Sequence, residues 1–254
     1  MSKHFVLCLA TLMVYLLPVR LQAASQIEIL SPGHHWQVQL TDGARLSNLL
    51  MLPSLPRSTD WSLAVISTPA QDAVIEQLRQ RVSTQLEQLE YLWLTGSENR
   101  GGYAVHQLRV ELLRYAFAGR LFTNLDPDWV RTKPGADPVL QGKYRLRLRP
   151  AASGFRVAGL IDGAIDVEPN ANMADVATLL KQRKCLPMGD CRWGYLIQPD
   201  GQVEKIGLQA WNSHYREAAP GALLWVGFDE SRLPDGFRSL NQDIISLLRN
   251  RISN

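Results

Sequence analysis

Four charged residues lie in one short run, which makes this run the first candidate for chemistry. Between Gly119 and Arg131 the chain contains Arg120, Asp126 and Asp128 as well. If the run were a regular strand, Asp126 and Asp128 would share a face roughly 6.5–7 Å apart. Inverting glycoside hydrolysis uses two carboxyl groups about 6.5–9.5 Å apart. The pair therefore supports an enzyme hypothesis, in which the protein modifies a polysaccharide.

Pro127 argues against that hypothesis, because it stands between the two carboxylates. Proline next to aspartate is typical of a turn, where aspartate caps nearby backbone amides. The sequence also lacks the serine-hydrolase, zinc-protease and phosphate-loop motifs. We therefore interpret Asp126 and Asp128 as turn and ion-pair residues, and we predict a protein that is not an enzyme, with no catalytic residue and no cofactor.

Arg120 is the main candidate for binding. A guanidinium can fork onto a carboxylate or phosphate, as carried by an acidic sugar chain or a lipid carrier. The alternative is an internal ion pair with Asp126 or Asp128. Tryptophans could offer flat faces to sugar rings, although each is more often a core residue: Trp129, Trp211 and Trp225. The candidate ligand-binding set is Arg120, Trp129 and Trp211.

The N-terminus is typical of a secretory signal. A basic start at Lys3 and His4 precedes an apolar run from Phe5 to Leu17, and Ala23 offers a small residue for cleavage. The run is shorter than the about 20 residues that span a membrane. Residues 1–23 are therefore predicted to be a signal peptide, with an uncleaved N-terminal anchor as the alternative.

The charge balance does not favour a nucleic-acid partner. Removing residues 1–23 takes away Lys3 and Arg20 and no acidic residue, so 27 basic residues become 25 against 24 acidic ones. Nucleic-acid binding calls for clustered basic residues. The best cluster has a period of two, typical of the solvent face of a strand: Arg145, Arg147 and Arg149.

Cys185 and Cys191 are the cysteines that remain after the signal. In an exported chain, such a pair predicts a disulfide that closes a small loop, worth about 2 kcal/mol. A metal site is the weaker reading because no histidine lies nearby, and a redox pair would have closer spacing. The adjacent His34 and His35 point apart on a turn, so no metal site is predicted.

The pattern of elements predicts an α+β protein with two tandem β-grasp (ubiquitin-like) domains. The first starts with a hairpin of Gln26–Leu30 and Trp36–Leu40, followed by a short helix. A helical hairpin interrupts it, and a strand at Arg120–Val130 resumes it. The second repeats the layout, with strands at Phe155–Leu160 and Leu223–Phe228 and a helix that starts near Asn172.

Two apolar stripes at helical spacing define the helical hairpin. Thr68 and Pro69 cap its first helix, and Gly119 is interpreted as the residue past the end of its second. The first stripe comprises Val74, Leu78, Val82, Leu86, Leu89 and Trp93. The second comprises Val105, Leu108, Leu112 and Tyr115.

The predicted boundaries follow from these elements. The first β-grasp domain takes residues 24–57 and 119–150, the helical insertion 58–118, and the second domain 151–230. Residues 231–254 form a C-terminal amphipathic helix of about 16 residues, roughly 24 Å long and too short for a bilayer core of about 30 Å. We expect it to dock onto its own chain, with assembly or membrane contact as the alternative.

Several dense blocks resemble the GfcC/YjbG capsule-biosynthesis family. They are Gly119-Arg120-Leu121, Leu125-Asp126-Pro127-Asp128-Trp129-Val130-Arg131, Trp211-Asn212, Pro220-Gly221, Leu224-Trp225-Val226-Gly227-Phe228 and Leu240-Asn241-Gln242-Asp243-Ile244. The sequence departs from the family pattern at Phe122, where proline is common. It also departs at His214, which stands one position early and so is a doubtful ligand.

The resemblance implies a periplasmic protein of group 4 capsule or exopolysaccharide export, with two β-grasp domains, a helical insertion and a C-terminal helix. Those domains are similar to the SLBB-like units of Wza-type outer-membrane export proteins. The family's arginine in a cleft maps onto Arg120. We therefore expect a monomeric accessory protein that binds glycan or export-machinery partners, and no nucleic acid. The alternatives are a glycan hydrolase using Asp126 and Asp128, and a structural subunit of an export pore.

Overall fold

A computed structural model describes residues 25–167, 183–212 and 214–252 of the chain. The predicted signal peptide and the helix predicted near Asn172 lie outside these residues. Within them the protein combines two larger sheets with several helices, which confirms an α+β fold.

The first sheet has four strands: β1 (Ser25–Ser31), β2 (His34–Leu40), β3 (Val65–Ser67) and β5 (Lys143–Arg147), in the order β2-β1-β5-β3. The predicted hairpin is confirmed, since β1 and β2 pair antiparallel around Gly33, whose φ is 72°. The central strands β1 and β5 run parallel. Strand β3 lies inside the range 58–118, so that range contributes a strand to the sheet that the sequence analysis missed.

The second sheet has five strands: β6 (Phe155–Gly159), β7 (Ile165–Val167), β8 (Trp193–Ile197), β9 (Val203–Gly207) and β10 (Leu223–Val226). Their order is β7-β6-β10-β8-β9. Strands β6 and β10 run parallel at the centre, and the flanking strands are antiparallel. Both sheets therefore have a parallel central pair between antiparallel neighbours.

Helix α1 (Leu46–Leu50) packs on the first sheet, and α2 (Pro69–Thr95) and α3 (Asn99–Leu112) form the predicted helical hairpin. Thr68 caps α2 as predicted, accepting a hydrogen bond from the Gln71 amide at 3.3 Å. The buried stripe of α2 starts at Ile75, whereas Val74 is 54% exposed. Each four-residue step rotates about 40° past a full turn, so Val74 falls outside the stripe that later residues define.

The predicted strand at Arg120–Val130 is wrong, because the chain forms helix α4 (Pro127–Thr132) there. The Asp126 carboxylate accepts hydrogen bonds from the amides of Asp128 and Trp129 at 2.8 and 2.9 Å. Proline is favourable in a first helical turn, and its missing amide is no loss there. The cap at Asp126 and the proline in the first turn therefore favour a helix over the extended strand that was predicted.

The second stripe also ends earlier than predicted. Helix α3 ends at Leu112, and Gly119 lies beyond a short strand, β4 (Ala116–Phe117). Gly119 therefore does not end the helix.

The C-terminal helix docks on its own chain, as predicted, but it is shorter. Helix α5 (Leu240–Leu248) has 9 residues and is followed by β11 (Arg251–Ile252), which pairs antiparallel with β4. Six of its residues are buried: Leu240, Asn241, Ile244, Ile245, Leu247 and Leu248. The helix ends before Asn250, whose carbonyl accepts a hydrogen bond from the Ala118 amide at 2.9 Å. This bond begins the pairing of β11 with β4.

One large core joins the insertion to the second sheet. Buried residues of α2, α3 and α5 pack together against one face of that sheet, which includes Ala158, Leu223 and Trp225. Separate clusters fill the first sheet with α1 and α4, and the other face of the second sheet. Among the helices that the structure describes, none is long and apolar enough to cross a membrane.

Candidate functional site

A cavity of about 520 Å³ lies where the two sheets are joined. The connecting residues 151–154 form one wall, the strands β6, β7 and β11 contribute others, and the insertion adds Arg114 and Tyr115. Ligand cavities are typically about 300–1,000 Å³ and are frequent where domains meet. We call this space the junction cavity.

Arginines outnumber carboxylates in the wall of the junction cavity. Three arginines line it, against a single carboxylate among the described lining residues: Arg114, Arg156 and Arg251, with Asp166. Glu111 lies just behind the wall and pairs with Arg114 at 3.8 Å and with Arg156 at 3.0 Å, so Arg251 is the lining guanidinium without a carboxylate partner among the ion pairs of the described residues. Such a wall favours an anionic ligand, because guanidinium groups bind carboxylates and phosphates in bidentate geometry.

Arg156 is held in the wall by two carboxylates. Its Nε donates to Glu111 at 3.0 Å, and its Nη1 donates to both oxygens of Asp166 at 2.7 and 2.8 Å. Burial disfavours its charge, but these hydrogen bonds outweigh burial and raise its pKa. Beside it, Tyr115 donates to Glu111 at 2.8 Å, and burial together with that carboxylate raises the pKa of the phenol. At neutral pH the wall therefore presents a charged guanidinium and a neutral phenol.

Arg251 is 4% exposed and is satisfied by backbone carbonyls. Its guanidinium donates to the carbonyls of Gly221 at 2.7 Å, Ile197 at 3.2 Å and Leu248 at 3.3 Å. The ionisable groups that act on it within the described part of the chain are Tyr115 and Arg120, with no carboxylate among them. Burial lowers its pKa to about 10, so the side chain still carries its charge at neutral pH.

Arg120 lies directly behind Arg251 and is 8% exposed. Its Nη2 donates to the Arg251 carbonyl at 3.3 Å, its amide donates to Asn250 Oδ1 at 3.0 Å, and its Nε has no hydrogen-bond partner in residues 25–167, 183–212 and 214–252. Burial lowers the pKa of Arg120 to about 10, while Asp200 acts in the opposite direction. Arg120 does not itself line the cavity.

The backbone around Arg120 is held by the first turn of α2. The Gly119 amide donates to Asp72 Oδ1 at 2.7 Å, and a Cβ at Gly119 would stand 2.1 Å from the Gln71 carbonyl carbon. Asp72 Oδ2 in turn accepts from Arg145 at 2.8 Å. Only glycine allows this close approach. The insertion therefore positions the segment that carries Arg120.

The aspartates that suggested hydrolysis lie on helix α4 and not in the cavity wall. Asp126 caps that helix, and the exposed Asp128 contacts Arg131 at 3.3 Å. Trp129 is 44% exposed, with the Lys133 ammonium 4.9 Å from its ring centroid. The structure does not bring Asp126 and Asp128 to the cavity or into contact with Arg120 among the ion pairs of the described residues.

Trp211 is 74% exposed on the loop that follows β9, whereas Trp225 is fully buried in the core. The Cys185–Cys191 disulfide is confirmed, with Cα atoms 6.0 Å apart. In the described ranges no group of three or more histidine, cysteine, aspartate or glutamate side chains could hold a metal ion.

Sequence reasoning missed the arginines of the cavity wall. Arg251 falls within the range 231–254 that was predicted to contain a C-terminal helix, although it lies in strand β11, and Arg114 was not singled out. Arg156 carried a usable signal, because it stands between Phe155 and Val157, two buried residues of β6. A charged residue at the alternate position of a strand points away from that core.

Comparison with known families places these features in context. A family model described as "Capsule biosynthesis GfcC, N-terminal" matches residues 23–151, and one described as "Capsule biosynthesis GfcC C-terminal" matches residues 165–253. The chain belongs to the GfcC capsule-biosynthesis family. The uncharacterized protein YjbG of Escherichia coli strain K12 is 30% identical over 230 residues, which is 91% of each chain.

Membership of the GfcC family gives the protein a role in capsule assembly and confirms the resemblance seen in the sequence. The first match ends at residue 151 and the second begins at residue 165. Residues 152–164, which lie between them, include β6 and most of the connecting wall of the cavity. In this GfcC-family protein the junction cavity therefore lies at the seam between the two matched regions.

Proposed function

We propose that this protein is a non-enzymatic periplasmic accessory protein that binds an acidic glycan, or its phosphate-bearing carrier, during capsule or exopolysaccharide assembly or export. One observation carries the proposal: three guanidinium groups and a single carboxylate line the junction cavity among the residues described there.

The burial of the arginines strengthens this argument. Arg251 and Arg120 keep their charges in a nearly dry environment with carbonyl dipoles as contacts, and a charge in such a place is costly without an anion. An anionic group that enters the cavity would find the guanidinium of Arg251 already held in position. Arg120 acts behind Arg251 by supporting its backbone carbonyl, so we propose it as a positioning residue of the site.

Binding is better supported than hydrolysis. Two-carboxylate hydrolysis needs a pair of free carboxyl groups across the bond to be cleaved. Asp166 is engaged by Arg156 through both oxygens, and Asp126 is engaged by backbone amides.

Further features support the rest of the proposal. The parallel central pair of each sheet is the arrangement expected of tandem β-grasp, SLBB-like domains, and the apolar N-terminus supports export to the periplasm. The docking of α5 on its own core favours a monomeric binding module over a pore subunit. Trp129 and Trp211, both exposed, remain proposed contacts for sugar rings, and outer-membrane export proteins are the proposed partners.

The test is complementation of a strain that lacks the gene, with surface polysaccharide as the measurement. Arg156→Gln removes a cavity guanidinium, and Arg120→Ala removes the guanidinium that supports Arg251 from behind. Both are expected to reduce surface polysaccharide to the level of the deletion strain while the protein accumulates and shows a cooperative thermal transition. Arg131→Ala is the control, because Arg131 is an exposed arginine of the same run, residues 119–131, as Arg120, and this variant should leave export unchanged.

Direct titration of the purified protein with the organism's own surface polysaccharide completes the test. Normal export by stably folded Arg156→Gln and Arg120→Ala variants, with unchanged affinity for the acidic polymer, would refute the proposal.

A further inference from the structure

A second hollow, of about 300 Å³, opens on the same face of the second sheet as the helical core, at the β8–β9 edge, and shares no lining residue with the junction cavity. The pairing of β8 with β9 sets Tyr195 opposite Lys205 and Trp193 opposite Gly207, so these side chains share one face of the sheet. The Lys205 ammonium lies 5.2 Å from the Trp193 ring centroid and 5.8 Å from that of Tyr195. We call this space the aromatic hollow.

Trp211 extends the aromatic wall at the rim. Its ring stands edge-on to Trp193, with centroids 6.4 Å apart and planes at 87°. The turn that carries Trp211 crosses the end of β9, and a Cβ on Gly207 would stand 2.1 Å from the Asn212 carbonyl oxygen. Gly207 is therefore the residue that lets the turn lie close enough to bring the two indoles together.

Hydrogen bonds fix the turn in place. Asn212 Oδ1 accepts from the Gln209 amide at 2.9 Å, and Asn212 Nδ2 donates to the Arg192 carbonyl at 3.0 Å. Gln209 Nε2 donates to the Cys191 carbonyl at 2.7 Å, which ties the turn to the disulfide loop. Trp211 is thus an exposed ring on a fixed turn, and a ring held in this way loses little entropy when a ligand covers it.

The polar wall supplies both donors and acceptors. Arg192 bridges Asp190 at 2.8 Å and Asp229 at 3.4 Å, while Lys205 has no ion pair within the ranges that the structure describes. Glu230 also lines the space. Two cations against three carboxylates disfavour an anion, and the mixture suits hydroxyl groups that donate and accept at once.

We propose that the aromatic hollow binds an uncharged pyranose ring of a glycan chain. The ring's apolar face would stack on Trp211, with the perpendicular indole of Trp193 beside the edge of the sugar, and its hydroxyl groups would bond to Lys205 and to the carboxylates of Asp229 and Glu230. The proposal rests on the proposed function, since the same glycan would place its acidic sugars in the junction cavity.

The two sites can be separated with one polymer in two forms. The probe is the surface polysaccharide of the organism that carries the gene, used as extracted and after its carboxyl groups have been chemically reduced to alcohols. The aromatic hollow is expected to bind both forms, and the junction cavity the acidic form alone.

Calorimetric titration and the indole N–H resonances of Trp193 and Trp211 are the measurements. Trp211→Ala is expected to weaken binding of the reduced polymer about tenfold, since one well-packed aromatic contact is worth roughly that ratio. Tyr91→Ala, which removes an aromatic ring that is 71% exposed on α2, is the matched control and should leave binding unchanged. Arg156→Gln should weaken binding of the acidic form only.

The outcomes distinguish the two ideas. The hollow is not a sugar site if the reduced polymer does not bind, or if it binds Trp211→Ala as tightly as wild type and moves neither indole resonance of the wild-type protein. Arg156-dependent binding of the acidic form would then still uphold the proposed function. If Trp211→Ala weakens binding of the reduced polymer while Arg156→Gln leaves the acidic form unaffected, the hollow stands and the junction cavity fails. If neither form binds the wild-type protein, both ideas are overturned.

Discussion

Asp72 connects the insertion, the first sheet and the segment that carries Arg120, so its removal should loosen all three. One carboxylate oxygen accepts from the Gly119 amide at 2.7 Å, and the other accepts from Arg145 at 2.8 Å and from Arg147 at 3.5 Å. The Asp72 side chain is 15% exposed, and that of Arg145 is 36% exposed.

The magnitude follows from these contacts. A hydrogen bond to a charged group contributes about 1.5–3 kcal/mol. Asp72→Ala removes the bonds from Gly119 and Arg145, but Arg145 keeps Glu28 at 2.6 Å and is partly solvated, which reduces the loss. We expect the free energy of unfolding to fall by about 2–3 kcal/mol and Tm by about 6 °C for a chain of this size. Asp72→Asn keeps an acceptor for Gly119 and should cost about half as much.

The pH dependence provides a second test. Burial opposes ionisation of Asp72, but the hydrogen bonds from Arg145 and Gly119, with the charge of Arg147, outweigh it and hold the pKa below its usual value of 3.8. Since the folded-state pKa is lowered, the stabilisation is fully present above pH 3.8 and is lost as pH falls through the folded-state value. The stability gap between wild type and Asp72→Asn should therefore be constant from about pH 7 to 5 and shrink below about pH 4.

Urea unfolding at several pH values, followed by circular dichroism, measures these changes. Glu76→Gln is the control, because Glu76 is a half-exposed carboxylate of the same helix that pairs with Arg79, and it should change stability by less than about 0.5 kcal/mol. The reasoning is refuted if Asp72→Ala is no less stable than Glu76→Gln, or if the gap to Asp72→Asn persists unchanged at about pH 3.

Two further predictions concern the C-terminal half of the chain. Asn241→Ala should lower the free energy of unfolding, measured by chemical denaturation, by about 2 kcal/mol. The Asn241 side chain accepts from the Phe228 amide at 2.9 Å and donates to the Phe228 carbonyl at 2.8 Å, and the variant leaves both groups without these partners. A loss below about 0.5 kcal/mol would contradict this role of Asn241. The Cys185→Ser and Cys191→Ser double variant should lose about 2 kcal/mol relative to the oxidised protein, as expected for a short loop. Equal denaturation midpoints for the double variant and the oxidised protein would contradict it.

Elements defined by neighbouring residues could be predicted from the sequence. The hairpin of β1 and β2 was recognisable from its turn cluster, and helix α2 from Thr68, Pro69 and a repeating apolar stripe. The disulfide followed from spacing and the predicted export. In each case the decisive chemistry lies within a few residues, where rotation and capping rules apply directly.

Contacts between distant parts of the chain could not be predicted in this way. Arg251 lies within the range 231–254 that was predicted to form a docked amphipathic helix, and it is buried because the carbonyls of Ile197 and Gly221, far away in the sequence, accept its hydrogen bonds. The cavity wall likewise combines Arg114 and Arg156, which no short motif relates. The order of Asp126 and Pro127, a capping residue followed by proline, is a local signal for the start of a helix, and it contradicts the strand that was predicted there.

The pairing of β11 with β4 has a consequence for the order in which the protein can fold. Arg251 pairs with Phe117, so the last described residues close a structure that begins in the first half of the chain. The apolar faces of α2 and α3 share their core with α5 and β10, and they have no complete cover until those elements have been synthesised. A chain truncated before Leu240 should therefore expose that surface and aggregate, and folding should wait for completion of the C-terminus, as contacts of high sequence separation require.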